Sequence, residues 1–552
     1  MFVHPAVLDF DLGRHLLFGK LMLENHQIIN TNLLSYTNPD FHYVNSHWLS
    51  EILFYLILAV TGFNGLILFT AAISLLTFSL LFVYCLKRFN LFGLLLSSII
   101  CVKLLSSRID IRPELFSYLF LAIFLVILFK FREKYSKLIF LLIPIELVWT
   151  NLHINFAVGI LLIGLFLVDN LWSNKLRLVK SGKTIFAVFV LSLASTIINP
   201  NLINGAIFPL TFNSNYAFPI LENQSIFYLS TLLNYQLFIG VETVIISLFI
   251  LLFYCRRKVY LIDWLLCFTF SLGIILAIRN ISLFALAIFI PLTRVLGFIF
   301  KDLSIFLKKT LSRNKLNFLK IFAIFCLNIA ILGSIIEILG YQEFGLGTVE
   351  SGKKAVDFYL DNKLTGPIYN NFDAGQYLAY KLYPQEKVFV DGRPEAYPKD
   401  FFLKIYTPAQ ESSQDFEKIS QKYKFNVIFM FHYFQSSENL SYLLNYSGYK
   451  LVYLDDTSLI MLRNNAQNKT IIDKDLITEN NFTIPKLWDK KKLFSYIEFF
   501  QKIGWVNQEK IAYTYLHQLD PTDCYIRDNL NQFRLGYKLL KNIKLDTTNA
   551  CP

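Results

Sequence analysis

The sequence predicts a polytopic α-helical membrane protein with a C-terminal extracytoplasmic α/β domain and a short helical tail. Three observations carry that expectation. The chain has 552 residues, of which 55% are hydrophobic and only 17% charged, where soluble domains are about a quarter charged. Before position 340 its apolar residues form unbroken runs, such as LILFTAAISLLTFSLLFVYCL (66–86) and IFAIFCLNIAILGSIIEIL (321–339). Each is close to the ~20 residues that cross a bilayer core. After about position 345 the pattern changes to short alternating helix and strand signals. The net charge of +12 does not point to nucleic acid, because lysine and arginine gather between the apolar runs, as in cytoplasmic membrane loops.

Apolar segments fall at about 48–62, 66–86, 89–106, 114–130, 138–150, 155–170, 184–198, 236–255, 261–278, 281–300 and 319–339. They make a transmembrane domain over 48–340 of about 10–11 helices. The basic connections are KRFN (87–90), KFREKYSK (130–137), NKLRLVKSGK (174–183), CRRK (255–258) and KDLSIFLKKTLSRNKLNFLK (301–320). From 66–86 onward they occupy every second connection, and the positive-inside rule makes their side cytoplasmic. The other side takes SSRIDIRPE (106–114), TNLHIN (150–155), IRN (278–280), everything after 340, and the stretch 199–235, which has no Lys or Arg. Segment 48–62 is short against the about 17–25 residues usual for a span. It reads as a short or tilted helix that leaves 1–47 outside, as an acidic loop. Five cysteines (Cys85, Cys101, Cys255, Cys267, Cys326) lie in or beside apolar runs, where a thiol acts as a small hydrophobe. With Cys524 and Cys551 they form no metal or disulfide pattern.

In the domain 345–465, SGKKAVDFYLDN, DAGQYLAYKL and QDFEKISQKY read as helices. GPIYNN, KVFVDG and NVIFMF read as strands and KLVYLDDTSLIMLRN as a hairpin, which together predict a small α/β sheet. In VDGRPEAYP the simpler reading is an internal ion pair, Asp391–Arg393 or Arg393–Glu395, that fixes the loop; the alternative presents Asp391 and Arg393 to a ligand beyond a strand end. Asn370, Asn371 and Asp373 read as a turn with a helix cap. Residues 466–552 read as a polar linker and a small helical region, with helical spacing in LFSYIEFFQKIGW and EKIAYTYLHQL.

The chain opens with two aspartates one residue apart, in VLDFDLGRHLLFG (7–19), ahead of Arg14 and His15. The spacing of Leu12, Leu16, Gly19 and Leu23 predicts a helix lying in the membrane interface, with Asp11 near its N-cap. Capping plus solvated charge is the plain reading of the acids. On the chemical reading Asp9 or Asp11, beside His15, takes a proton from an acceptor hydroxyl. Alternatively the pair shares a divalent cation, Mg2+ or Mn2+, through hard oxygen ligands.

Charged groups at membrane depth are costly and line aqueous cavities or pair with one another. The remaining candidates all fall on the outer side: His47, Glu51, Arg108, Asp110, Arg112, Glu114, Asn151, His153, Glu222 and Arg279. Arg108, Arg112 and Arg279 either reach for lipid headgroups or grip a phosphate, which the guanidinium fork suits. AIRNIS leaves Arg279 only a tight turn between apolar segments, which favours the phosphate. Asn151 and His153 read equally as a buried structural pair or as substrate contacts. His47, Glu51, Asn151, His153 and Glu222 are the candidates for a substrate pocket.

Six stretches occur in order: DFDLGRHLLFGKLMLENHQIINTNLLSYTNPDFHYVNSHWLSEILFYL (9–56), RIDIRPELFSYLFLAIF (108–124), WTNLHINFAVGI (149–160), NPNLINGAIFPL (199–210), IRNISLFALA (278–287) and VFVDGRPEAYP (388–398). Over roughly residues 9–465 they resemble the GT-C superfamily of polyprenyl-phosphate-sugar-dependent membrane glycosyltransferases. The closer likeness is to a bacterial branch related to protein mannosyltransferases and lipopolysaccharide core glycosyltransferases. The resemblance implies a multi-pass plasma-membrane enzyme that transfers a sugar from a lipid-linked donor to an extracytoplasmic acceptor by inverting general-base chemistry. An acid of the first extracytoplasmic loop then works at the reacting centre, and Asp9 and Asp11 match it by position. Arg108, Arg112 and Arg279 would hold the donor phosphate. The resemblance also implies a membrane-spanning helix ahead of that loop. Met1 lies eight residues before Asp9, so such a helix is expected upstream unless this protein dispenses with it. Two rival functions stay open. A lipid or polymer transporter needs polar residues in the cytoplasmic half of the helices, where few are seen. A non-catalytic membrane scaffold needs only a partner for its α/β domain.

Overall fold

The computed structural model describes residues 3–9, 11–106, 108, 110–215, 221–233, 236–310, 333, 345–432, 437–485, 489–524, 526–527 and 529–530. The span read at 319–339 lies outside the described residues apart from position 333, as does the end of the helical tail. The chain divides into two units, one of residues 1–6, 15–30 and 44–348, the other of 7–14, 31–43 and 349–552. Residues 1–47, read from the sequence as one loop, are therefore shared between them. Hydrogen bonding is the reason. Within the second unit Leu8 N–H donates to Val349 O at 3.0 Å, Tyr36 N–H to Val388 O at 3.2 Å, and Val388 N–H to Leu34 O at 3.0 Å.

The first unit is helical. α1 (Asp11–Asn25), whose first turn counts with the second unit, is followed by α2 (Trp48–Leu86), α3 (Leu91–Ser106), α4 (Glu114–Glu133), α5 (Leu142–Leu152) and α6 (Ala157–Ser173). Then come α7 (Lys180–Ser195), α8 (Leu202–Asn215), α9 (Ile226–Leu233), α10 (Gln236–Tyr254), α11 (Leu261–Leu276) and α12 (Ile281–Thr310). Among the described residues four helices are long and apolar enough to cross a membrane: Trp48–Leu86, Glu114–Glu133, Ile154–Ser173 and Ile278–Thr310. Four more are apolar but shorter. α4 and α12 are the most deeply buried of the long ones; α12 packs on α3, α11 and α4, and α4 on α2 and α6.

Segments 48–62 and 66–86 form one element with a break at Gly62, where φ is +68° and ψ −174°. Only glycine adopts that conformation at low cost. The ring of Phe116, in the first turns of α4, lies 5.6 Å from Phe54 and 6.2 Å from Phe69. Those two α2 residues would stand about 22 Å apart in a straight helix at 1.5 Å per residue. Both can reach Phe116 only because α2 bends at Gly62. The break at Gly62 thus folds residues 48–61 back toward the start of α4.

Much of α1, the helix read as interfacial, is buried. Leu12, Leu16, Leu17, Phe18 and Met22 are all buried, and the exposed positions are Lys20, Glu24 and Asn25. A Cβ at Gly19 would sit 2.1 Å from the Glu51 carbonyl oxygen. The missing side chain lets α1 press against the start of α2, four residues beyond His15.

At the boundaries of the two units the two-residue strands β1 (Ala6–Val7) and β2 (Thr348–Val349) pair with each other. The main sheet runs β3 (Ile368–Asn370), β4 (Val427–Phe431), β6 (Ser458–Arg463), β5 (Tyr449–Leu454). β3 is parallel to β4 and the other pairings are antiparallel. KVFVDG, expected as a strand, carries only a single bridge from Val388 to Ser35. Beside it the Asn370 side chain replaces a backbone ladder. Its Oδ1 accepts from Phe389 N–H at 2.8 Å and its Nδ2 donates to Val390 O at 2.6 Å, because a side-chain amide offers the same donor and acceptor as a peptide. The tail forms a hairpin of Lys490–Ile503 and Val506–Leu519, turned by Gly504 at φ +76°. It packs on the sheet's helices through Phe499, 4.6 Å from the His432 ring.

Candidate active site

Pro113 opens α4 with φ −54°, the value its ring imposes. Arg108 and Arg112 thereby stay in the preceding loop, while Glu114 falls in the first helical turn, where the helix dipole favours a carboxylate. That turn presents Glu114, Ser117 and Tyr118 at i, i+3 and i+4, on one face. Two polar groups adjoin there, both within the first unit.

The first is an arginine group. Glu114 Oε1 accepts from Arg279 Nη2 at 3.1 Å, and its Oε2 from Tyr118 OH at 3.0 Å and Arg108 Nη2 at 3.5 Å. Glu222 accepts from Arg108 Nη2 at 3.0 Å and from Arg112 Nη1 at 3.3 Å. Arg279 also donates from Nη1 to Asn223 Oδ1 at 3.1 Å. Asp110 stands 3.9 Å from Arg112 and 4.0 Å from His4. Burial opposes ionisation of Glu222, but Arg108 and Arg112 outweigh it and hold the carboxyl below its ordinary range. The Nε of Arg108 is buried and has no hydrogen-bond partner. Arg108, Arg112 and Arg279, separated by up to 171 positions in the chain (279 − 108), thus come together around Glu114 and Glu222.

The second is a histidine group. Glu51 is fully buried; its Oε1 lies 2.9 Å from His15 Nδ1 and its Oε2 accepts from Asn45 Nδ2 at 2.9 Å. With the hydrogen on Nδ1 the ring would donate to Glu51, and Nε2 would be its basic nitrogen. The His47 ring lies 5.6 Å from His15 and 5.2 Å from His153. His153 Nδ1 receives Asn155 N–H at 3.3 Å and lies 2.8 Å from Ser117 Oγ, which itself accepts from Trp149 Nε1 at 2.8 Å. Ser117 therefore donates to His153, and the imidazole keeps its hydrogen on Nε2. Asn151, expected beside His153, is occupied differently. Its Oδ1 accepts from Trp48 Nε1 at 3.1 Å and its Nδ2 donates to the carbonyls of Leu147 and Ile198. That amide ties chain segments together, leaving His153 as the member of the pair that faces the histidine group.

Asp9 and Asp11 belong to the second unit. Asp9 is 2% exposed and both its oxygens accept from Ser351 N–H, at 2.8 and 2.9 Å, just ahead of the helix Lys353–Asp361. Burial raises its carboxyl above the ordinary range, and the bonds from Ser351 offset this only in part. Asp9 thus holds the backbone two residues ahead of that helix. Asp11 lies 3.5 Å from Arg14. Among the described residues no three His, Cys, Asp or Glu side chains gather as metal ligands. With Asp9 turned to a backbone amide and Asp11 beside an arginine, the pair does not fit a divalent cation. Asp391 and Arg393 take the simpler alternative: they form a buried ion pair at 2.6 Å, with Arg393 also donating to Tyr43 and Asn32.

Sequence reading missed the charges at the opposite end of the first unit's helices. Arg294 holds both oxygens of Asp263, which also accepts from Tyr260 N–H. Arg132 donates to Asp169 at 2.7 Å and stacks 3.6 Å over the Tyr260 ring. Arg294 and Asp263 sit inside LTRVLG and LIDWLL, where an ionisable residue within an apolar run was the available signal. Glu114, named as an outer-side charge but given no role, is the hub of the arginine group. Ser117 and Tyr118 carried no sequence signal beyond their helical spacing from it.

No family model matches the chain, and no curated protein matches it. Among solved structures it is similar to the oligosaccharyltransferase AglB from Archaeoglobus fulgidus, in complex with an inhibitory peptide and a dolichol-phosphate. The TM-score is 0.45 and the identity 12%, over 94% of this chain and 82% of that one. A likeness that loose leaves the functional reading to the residues themselves.

Proposed function

We propose that the chain is a membrane glycosyltransferase, moving a sugar from a polyprenyl-phosphate donor to a hydroxyl acceptor on the outer face of a bacterial plasma membrane. The order of motifs resembling GT-C enzymes supports this reading. The observation that carries it is the first turn of α4, where Glu114 binds Arg108 and Arg279, Glu222 joins Arg112 to them, and Ser117 orients His153. Transfer from a phosphate-linked sugar needs both capacities together. Cations must receive the phosphate as it leaves, and a base must take the acceptor's proton.

In this scheme the acceptor oxygen bonds to the anomeric carbon as its O–H proton passes to His15 Nε2. The bond from that carbon to the phosphate oxygen breaks, and its electron pair leaves with the lipid phosphate. Arg108, Arg112 and Arg279 hold that phosphate by charge-assisted hydrogen bonds. Glu51 fixes the His15 ring and stabilises its protonated form, as a carboxylate does for an imidazole base. His47 and His153 line the path beside it. A single displacement inverts the anomeric centre. Asp11 is not needed as the base, and Asp9 serves the fold.

The test is transfer of labelled sugar from a polyprenyl-phosphate donor in membranes. His15→Ala should lower the rate by about 10²–10⁴-fold, the usual contribution of a general base. Asp9→Asn should leave turnover per folded molecule near normal. Full activity in His15→Ala, with loss in Asp9→Asn, would return the base to the aspartates.

A further inference from the structure

We infer that Glu222 is a placeholder for the donor's anion: it holds Arg108 and Arg112 when the donor is absent and leaves when the phosphate arrives. This rests on the reading of the arginine group as the donor-phosphate site. The two main carboxylates of that group are built differently. Glu114 sits in the first turn of α4, with its side chain 9% exposed, and is tied to Tyr118, Arg108 and Arg279. It cannot leave without stranding buried donors. Glu222 lies on the three-residue turn Leu221–Asn223, in the long connection between α8 and α9. Its side chain is 40% exposed, and it pairs with two arginines, Arg108 and Arg112. A carboxylate and a phosphate offer an arginine fork the same planar pair of acceptors. An anion entering here therefore finds Glu222 in its place.

The charges agree. Three arginines face Glu114, Glu222 and the looser, half-exposed Asp110, so withdrawing Glu222 leaves the group one positive charge in excess, which an entering anion would answer. Moving Glu222 into water costs little, because it is already partly solvated, and an incoming phosphate replaces both of its contacts. Arg108 has a further use for such a ligand: its buried Nε has no partner, and a phosphate carries enough oxygens to meet more than one N–H of the same guanidinium. Asp110 is no rival placeholder, since it is 50% exposed and reaches Arg112 only at 3.9 Å.

The experiment is equilibrium binding of dodecyl phosphate to the purified full chain in detergent. Removing a competing, partly exposed ion-paired carboxylate should tighten binding about tenfold in Glu222→Gln. Asp110→Asn should change it less than about twofold by the same reasoning. Should the Gln variant not purify, Glu222→Asp, whose shorter side chain draws back from the arginines, should show the same direction. Equal or weaker binding in the Glu222 variants, with clear binding by the wild type, overturns the placeholder and leaves the arginine site standing. Absence of binding in wild type and variants alike overturns both.

Discussion

The first unit carries arginine–carboxylate chemistry at both ends of its helices, and the two ends are built on different plans. Near the basic connections, Arg294 closes on both oxygens of Asp263, and Arg132 on Asp169, under the rings of Tyr260, Phe89 and Phe129. Arg294 and Asp263 are both buried. At the other end three arginines share Glu114 and Glu222, one carboxylate is 40% exposed, and one buried guanidinium N–H has no partner. Matched, shielded pairs hold helices together. A group with an exposed carboxylate and an unpartnered buried N–H keeps capacity for a ligand. Buried charge alone is therefore a poor guide to a site; what matters is whether each charge is already fully answered.

That difference can be broken experimentally. The largest effect is expected at the closed end. Arg294→Met strands a buried Asp263 carboxylate, which should cost about 3–5 kcal/mol and show as a sharply lower unfolding temperature in detergent. Adding Asp263→Leu should restore most of the loss, because a packed apolar pair of similar volume is about as stable as the ion pair. If the double variant stayed as unstable as the single one, these charges would have a role beyond holding helices. A smaller effect is expected at the open end. Arg279→Lys keeps the charge but cannot serve Asn223 and Glu114 with two parallel N–H groups. Its apparent affinity for the polyprenyl-phosphate donor should fall roughly tenfold or more, the value of one charge-assisted hydrogen bond, with the unfolding temperature little changed. Normal donor use by the Lys variant would reduce Arg279 to a general positive charge.

Much of the open end was legible in the sequence, because its residues interrupt apolar runs in short polar connections. Arg108, Arg112 and Arg279 stand out for that reason, as do His15, His47, Glu51 and His153. The roles were less legible. Asp9 looked catalytic beside Asp11, yet its partner is an amide 342 positions away, Ser351, and no local pattern announces a cap made at that separation. Asn370 was read as part of a turn, although its side chain stands in for strand pairing with 389–390. The shortness of segment 48–62 was visible, but its contact with Phe116 depends on the backbone at Gly62. Asp263 and Arg294 were hidden by the runs around them, since a hydropathy reading averages one charge away while packing pairs it.

The claim that the open end is the site and the closed end is scaffold can be tested directly by photocrosslinking. A polyprenyl-phosphate carrying a photoreactive group close to the phosphate would be bound to the full chain in membranes, and the labelled peptides identified by mass spectrometry. The account predicts labelling within residues 108–118, 221–223 and 279–282, suppressed by excess unlabelled lipid phosphate. Labelling concentrated around Asp169, Asp263 and Arg294, or none that unlabelled lipid phosphate suppresses, would contradict it.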